Sequence, residues 1–324
     1  MRRYSIVVFL VVLCISVFSS YIPPVDNSYV TATFLEFRST GNVPHYHSGT
    51  DFSTFLKEGI PVKAANNGYL ARLEIDEGGI YGNTVVLQHD DGYKSIYAHL
   101  SRFAEKTDKI VNMLTSEFGK QRIVVEFQSD DIVFSQGEVI GYSGKTGEAS
   151  QAHAHFEIRD REEKNAYDPL DFIDKSLLRP VQMGVMIKNI VIDGKEYTYQ
   201  PGGVYTFSGD FPKISVEAYT ELAKNLLGVK EVKVYFSDNL VYHIILDRLP
   251  MDYWQKPYDL YDEKTVMTSL IYRGYYKLYS SSDLPFVKVN KLSDYNHSSQ
   301  YSVSIEIRDT FGNVGTFPFK LVRG

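Results

Sequence analysis

The chain has 324 residues, of which 44% are hydrophobic and 14% aromatic, enough to build about two domains at roughly 150 residues each. Its formal net charge is −6 and it has no basic tract, which argues against nucleic acid as a partner. Cys14 is the only cysteine, so disulfides are excluded and cysteine chemistry depends on whether the N-terminus is kept.

The chain opens with MRRYSIVVFLVVLCISVFSS. Two arginines precede an apolar run from about Ser5 to Phe18, followed by Ser19 and Ser20. This layout predicts a signal peptide over 1–20, with Val17 and Ser19 at the cleavage positions. The competing reading is a retained anchor giving transient membrane association, although the run is shorter than the ~20 residues of a spanning helix. A lipoprotein reading is disfavoured because Leu13, a large residue, precedes Cys14. Cleavage removes Arg2 and Arg3, moves the net charge from −6 to −8 and leaves no cysteine. The expected location is periplasmic, cell-envelope or extracellular.

Residues 21–33 predict an extended lead-in containing Pro23 and Pro24. The stretch 34–175 is strand-like with frequent glycine turns. GIPVKAANNGYLARLEID predicts a hairpin about Asn67-Gly68, and two more strands flank Asp91-Gly92. EVIGYSGKTG predicts strand, turn, strand. An insertion over 101–136 breaks the pattern. Within it, Ile110, Val111, Leu114 and Phe118 have helical spacing, which predicts a helix over 106–119 ending at Gly119, and IVVEFQ predicts a strand. The insertion is either a satellite packed on the core or a wall of a groove. DPLDFID predicts the closing turn of the first domain.

Beyond Pro180 the text changes to strand pairs about Asp193-Gly194, Asp238-Asn239 and Gly312-Asn313. They predict a β-sandwich of immunoglobulin-like type over 181–324. Val216–Leu227 has a short helix as its alternative. The fold class is therefore mainly β: an antiparallel β-sheet domain followed by a β-sandwich.

The chemistry is concentrated in HYHSGTD, IYAHL and AHAHFEIRD, which supply His47, Asp51, His99, His153 and His155. On a strand, His153 and His155 share a face because side chains alternate. His47 and Asp51 are four apart. A lone H-x-H or H-x3-D is weak evidence of a metal, whereas the joint set in these contexts is strong. Three of five such side chains can hold a zinc ion with one position left for water, and two histidines can then move protons. The other candidates read as structural. His45 lacks an aspartate four residues on, His89 follows an apolar strand, and His243 and His297 have no partners in the sequence. Tyr46 is expected on the rim of the site. Glu157 has the strand parity of His155 and is a candidate to orient a ligand histidine.

The full set resembles the lysostaphin/LytM-type zinc endopeptidases. The resemblance covers about Phe34 to Ile173. It rests on H-x3-D (His47 to Asp51), G-x-P-V-x-A-A (Gly59 to Ala65), G-N-x-V-x-x-x-H (Gly82 to His89) and Y-A-H-L (Tyr97 to Leu100). It continues with G-x-x-I-G-x-S-G-x-T-G (Gly137 to Gly147) and H-x-H-F-E-I-R (His153 to Arg159). It implies that His47, Asp51 and His155 hold Zn2+ and that His99 and His153 are catalytic, flanking the activated water and the scissile carbonyl. Which of the two is the general base stays open. The implied substrate is a peptide cross-link of bacterial peptidoglycan. Ala154 departs from the family's usual leucine and is expected to alter packing only. The length of the 101–136 segment leaves the substrate preference open. The alternative is a non-catalytic or latched LytM-type activator of other cell-wall hydrolases, or a wall-binding module in which zinc is structural. Oligomeric state is not legible.

Overall fold

The computed structural model describes residues 20–39, 43–119, 121–129, 131–180, 183–222, 225–268, 271–280, 283–295 and 298–324. Nearly all of the expected signal peptide, Cys14 included, and His297 lie outside the described residues.

The first half contains β1 (Val30–Ala32), β2 (Phe37–Arg38), β3 (His45–Tyr46), β4 (Thr50–Ser53), β5 (Pro61–Lys63), β6 (Gly68–Ile75), β7 (Thr84–Gln88) and β8 (Tyr93–Ala98). After β9 (Arg102–Phe103) come α1 (Glu105–Phe118), β10 (Ile123–Glu126), β11 (Val133–Phe134), β12 (Val139–Tyr142), β13 (His153–Asp160) and β14 (Asn165–Tyr167). The main sheet runs β1-β4-β13-β8-β7-β6-β10. The apolar residues at alternate positions of β7, β8 and β13 (Val85, Leu87, Tyr97, Phe156, Ile158) face one buried core.

Several expectations change here. β7 and β8 pair antiparallel about Asp91-Gly92, where Gly92 takes φ +90°, as the turn signal requires. Asn67-Gly68 makes no hairpin, because β5 pairs with β12 while β6 pairs with β7 in the main sheet. EVIGYSGKTG holds a single strand, β12. The lead-in carries β1, which pairs with β4, and its Tyr21 is buried and donates to Asp91 (2.9 Å). The helix lies within one residue of its expected place, and Gly119 caps it with φ +69°.

The second half contains β15 (Met183–Ile192), β16 (Lys195–Thr198), β17 (Val204–Phe207), β18 (Ile214–Leu222), β19 (Asn225–Leu227), β20 (Glu231–Phe236), β21 (Asn239–Ile245) and β22 (Arg248–Pro250). It ends with β23 (Val266–Met267), β24 (Tyr272–Arg273), β25 (Tyr275–Lys277), β26 (Val287–Asn290), β27 (Gln300–Arg308) and β28 (Val314–Arg323). A sheet ordered β16-β15-β18-β19 and one ordered β17-β28-β27-β20-β21-β26 share a core of Ile190, Val216, Val234, Ile244, Ile305 and Leu321. The three strand pairs about the expected turns form. Residues 216–222 lie in β18 and 225–227 form β19 rather than a helix: pairing with β15 overrides the local helix preference of the Glu, Ala and Leu residues.

The halves are not beads on a string. β14 pairs with both β13 and β22, so the main sheet crosses into the second half. Phe34, Leu35, Phe37 and Tyr46 belong to the second half's core. Tyr46 is therefore fully buried, with its hydroxyl on the Lys256 carbonyl (3.0 Å), and does not lie on a rim. His243 does have a partner, Glu231 (2.7 Å).

Candidate active site

The register of β13 builds the site. His155 stands opposite Asp51 on β4 and opposite Ala98 on β8, and His99 directly follows β8. His47 lies in the turn between β3 and β4. Gly49 in that turn has no room for a side chain, since a Cβ would sit 2.4 Å from the Phe156 carbonyl oxygen and 2.9 Å from His155 Cε1. His99 has φ +60°, a conformation that non-glycine residues rarely adopt. It is held there by its N–H on the Tyr81 carbonyl (2.8 Å) and its Nδ1 on the Thr146 carbonyl (2.9 Å).

Hydrogen bonding fixes the tautomer of each histidine, because a carbonyl only accepts. Nδ1 of His47 donates to the Thr33 carbonyl (2.8 Å), and Nδ1 of His153 donates to the Gln151 carbonyl (2.8 Å). With His99, these three therefore present bare Nε2 atoms. His155 is reversed. Its Nε2 donates to Glu157 Oε1 (2.9 Å) and leaves Nδ1 for the site. Glu157 is fully buried, and also takes Ser48 Oγ (2.7 Å) and Arg159 Nε (2.6 Å). Burial opposes the Glu157 charge, but Arg159 and His155 outweigh it and hold the carboxyl well below its usual range.

Three acceptors then converge. His47 Nε2 lies 3.1 Å from Asp51 Oδ1 and 3.1 Å from His155 Nδ1, and His155 Nδ1 lies 2.9 Å from the same carboxylate oxygen. Lone pairs this close repel unless a cation or a proton sits among them. In the metal-free chain a proton meets the demand. Burial lowers the His155 pKa, but its bonds to Asp51 and Glu157 win and push it up to about 9. Two imidazole nitrogens and a carboxylate oxygen suit zinc, and three donors leave the fourth position that a catalytic site keeps open. His99 and His153 stand beside this set. Their ring centroids are 4.9 Å apart, and His153 Nε2 is 3.6 Å from Asp51 Oδ1. Burial, together with repulsion from His153 and His155, drives the His99 pKa down to about 3, so this imidazole is neutral at any ordinary pH.

The five expected residues thus meet in one cleft of about 520 Å³. Its walls bear on the two readings of the insertion. Among the described residues none of 101–136 lines it; β10 pairs with β6 at the far edge of the main sheet, and α1 contacts β9. The walls come from Leu56, Ile80 and residues 148–152, and from the second half through Leu226, Trp254 and Ile271. His45 packs against Trp254 with its ring tilted (centroids 4.5 Å) on the cleft wall, outside the three-donor set. His89 is structural, held between the Asn67 carbonyl and Ser95. Arg38, Glu36, Ser48 and Tyr81 also line the cleft and escaped the reading of the sequence; the signal that could have found the first two is the E-x-R spacing they share with Glu157 and Arg159.

The β-sheet sets two histidines and an aspartate, a group that could hold a metal ion, beside two more histidines, one of them on the same strand. Residues 45–114 match the model of Peptidase family M23. Among curated proteins, the chain is 30% identical over 113 residues to the DD-carboxypeptidase/endopeptidase Mpg of Neisseria meningitidis serogroup B, covering 35% of this chain and 20% of that protein. It is 29% identical over 140 residues to the peptidoglycan DD-endopeptidase ShyB of Vibrio cholerae, covering 42% and 26%. The chain thus spans about a quarter or less of the length of these relatives. Among solved structures, a zinc-containing peptidase from Vibrio cholerae shares 26% identity over 46% of this chain and 39% of that one, with a TM-score of 0.33. No described helix is long and apolar enough to cross a membrane.

Proposed function

We propose that this chain is an exported zinc-dependent endopeptidase that hydrolyses peptide cross-links of bacterial peptidoglycan. The observation that carries the reading is the convergence of three donor atoms, His47 Nε2, Asp51 Oδ1 and His155 Nδ1, beside two histidines whose Nδ1 atoms are taken by backbone carbonyls. Zinc bound there supplies Lewis acidity, which makes water nucleophilic near neutral pH and polarises a carbonyl. The residues do the rest. Thr33 and Glu157 orient the two ligand histidines. His99, anchored by Thr146, and His153, across the cleft, flank the site, one taking the proton of the water and the other steadying the developing oxyanion. The peptidase unit spans 34–175, the second domain 181–324, and export relies on residues 1–20. The relatives' names support the substrate class.

The test uses residues 21–324 and two variants, His153→Ala and His99→Ala. About one zinc in all three proteins, with cross-linked peptides released from purified peptidoglycan only by the unmutated one, is the expected result. The losses are expected at roughly 10²–10⁴-fold, the usual worth of a general acid or base. Release that persists after chelation would exclude a zinc mechanism.

A second reading, a latched form, draws on the second-half residues Trp254 and Ile271 in the cleft wall. It expects zinc in the unmutated chain without cleavage, and cleavage after Ile271→Gly.

A further inference from the structure

Two buried, oppositely charged side chains lie between the metal donors and the second half of the chain. Arg38 Nη2 is 3.7 Å from Asp51 Oδ2, the carboxylate oxygen that faces away from the histidines. Arg38 Nη1 is 3.0 Å from Glu36 Oε2. The other Glu36 oxygen, Oε1, accepts three bonds: from Thr33 N–H (2.7 Å), Thr33 Oγ1 (2.7 Å) and Gly228 N–H (2.9 Å). Gly228 belongs to the second half and directly follows β19.

The segment 33–38 is also laced to the other donor. Thr33 offers the carbonyl that fixes His47 Nδ1. Leu35 N–H donates to the His47 carbonyl (2.8 Å), and His47 N–H donates to the Glu36 carbonyl (2.8 Å). From the other side, Tyr261 donates to the Leu35 carbonyl (2.9 Å). Two of the three donors are therefore held through one short segment, and that segment is held by a backbone amide and a phenol of the second half. A guanidinium 3.7 Å from the far oxygen of a carboxylate favours, by charge, the orientation that keeps the near oxygen on the histidines, and a histidine whose Nδ1 acceptor is fixed keeps its Nε2 lone pair in place.

We propose that Glu36 and Arg38 are positioning residues for the metal donors, and that the second half, through Gly228 N–H, sets the zinc affinity of the first. This rests on the zinc-peptidase reading given above. Gly228 itself bonds to none of the three donors. Yet a Cβ there would lie 2.9 Å from both Glu36 Cγ and Thr33 Oγ1, so even alanine must shift the segment.

The experiment measures zinc affinity by competition with a chromophoric chelator, on residues 21–324 and on Arg38→Met, Arg38→Lys and Gly228→Ala. Melting of each metal-free protein is followed in parallel. Arg38→Met and Gly228→Ala are expected to weaken zinc binding about tenfold or more, the usual effect of removing an outer partner of a ligand. Arg38→Lys, which keeps the charge but loses the fork, is expected to fall between Arg38→Met and the unmutated chain. Lys233→Met removes an ion pair with Glu306 in the second half's sheet, outside the contacts of the donors, and is expected to leave zinc affinity unchanged. Affinities within twofold of the unmutated value in both Arg38→Met and Gly228→Ala would overturn the proposal. Should Arg38→Met not fold, Arg38→Lys and Gly228→Ala decide by the same threshold. Failure of the unmutated chain to bind zinc would sink this proposal and the zinc reading together. Zinc binding without peptidoglycan cleavage would remove only the hydrolase reading and leave the affinities to decide this one.

Discussion

Glu157 accepts the Nε2 proton of His155 at 2.9 Å and so makes it the one histidine of the site that turns Nδ1 toward the donor set. Glu157→Gln removes the charge that fixes this tautomer and is expected to weaken zinc binding about tenfold. Glu157→Ala also strands the buried Arg159 and is expected to cost about 3–5 kcal/mol. Chelator competition reads the first effect and denaturant melts the second. An unchanged affinity in Glu157→Gln would mean that the tautomer is set elsewhere.

The His155 proton gives metal-free and zinc-loaded protein different pH profiles. Its pKa in the folded chain, about 9, lies above the free histidine value of about 6.5. The stability it contributes is thus fully present below about pH 6.5 and is lost as pH rises through about 9. Metal-free protein is expected to melt at a lower temperature near pH 9 than near pH 6.5. Zinc takes the proton's place, so the loaded form escapes this loss, and apparent affinity rises with pH by up to about tenfold per unit. Thermal melts of chelator-treated and zinc-loaded samples check both statements; parallel curves would refute them.

Gly49→Ala tests the packing behind the donors. The added methyl meets the Phe156 carbonyl oxygen and His155 Cε1, and neither belongs to a flexible chain end. A loss of about 1–3 kcal/mol is expected, together with weaker zinc binding. A melt unchanged to within a degree would show that the turn can absorb the methyl.

The cleft walls make opposite predictions for two surfaces. Leu56 and Ile271, respectively 70% and 53% exposed, line the cleft from the two halves of the chain. Leu56→Glu and Ile271→Glu are expected to raise KM for cross-linked peptide several-fold with zinc content unchanged. Met113→Glu and Phe118→Glu on α1 are expected to leave cleavage within twofold. A larger effect from the α1 pair would return the insertion to the groove.

The site was legible in the sequence where its residues lie in short local patterns. His153 and His155 declare their shared face by strand parity, and His47 and Asp51 lie four apart, at a turn and in the strand it opens. The Asp91-Gly92 hairpin was legible for the same reason. Sheet membership is a long-range property, and there local signals failed: Asn67-Gly68 looks like a hairpin turn, yet its flanking strands pair with different partners. The buried tie from Gly228 to Glu36 joins residues 192 positions apart, and no spacing announces it. Tyr46 looked like a rim residue because the surface that buries it comes from 253–286.

The strand that carries His153 and His155 is hydrogen-bonded to β14, and β14 to β22 of the second half. A backbone ladder that continues across a presumed linker makes the two halves one cooperative unit for local opening. Amide protons on β13 and β22 would then exchange with deuterium at matching rates. Excising the second half would leave β14 with a bare edge and uncover Phe34, Leu35, Phe37 and Tyr46, which its core buries.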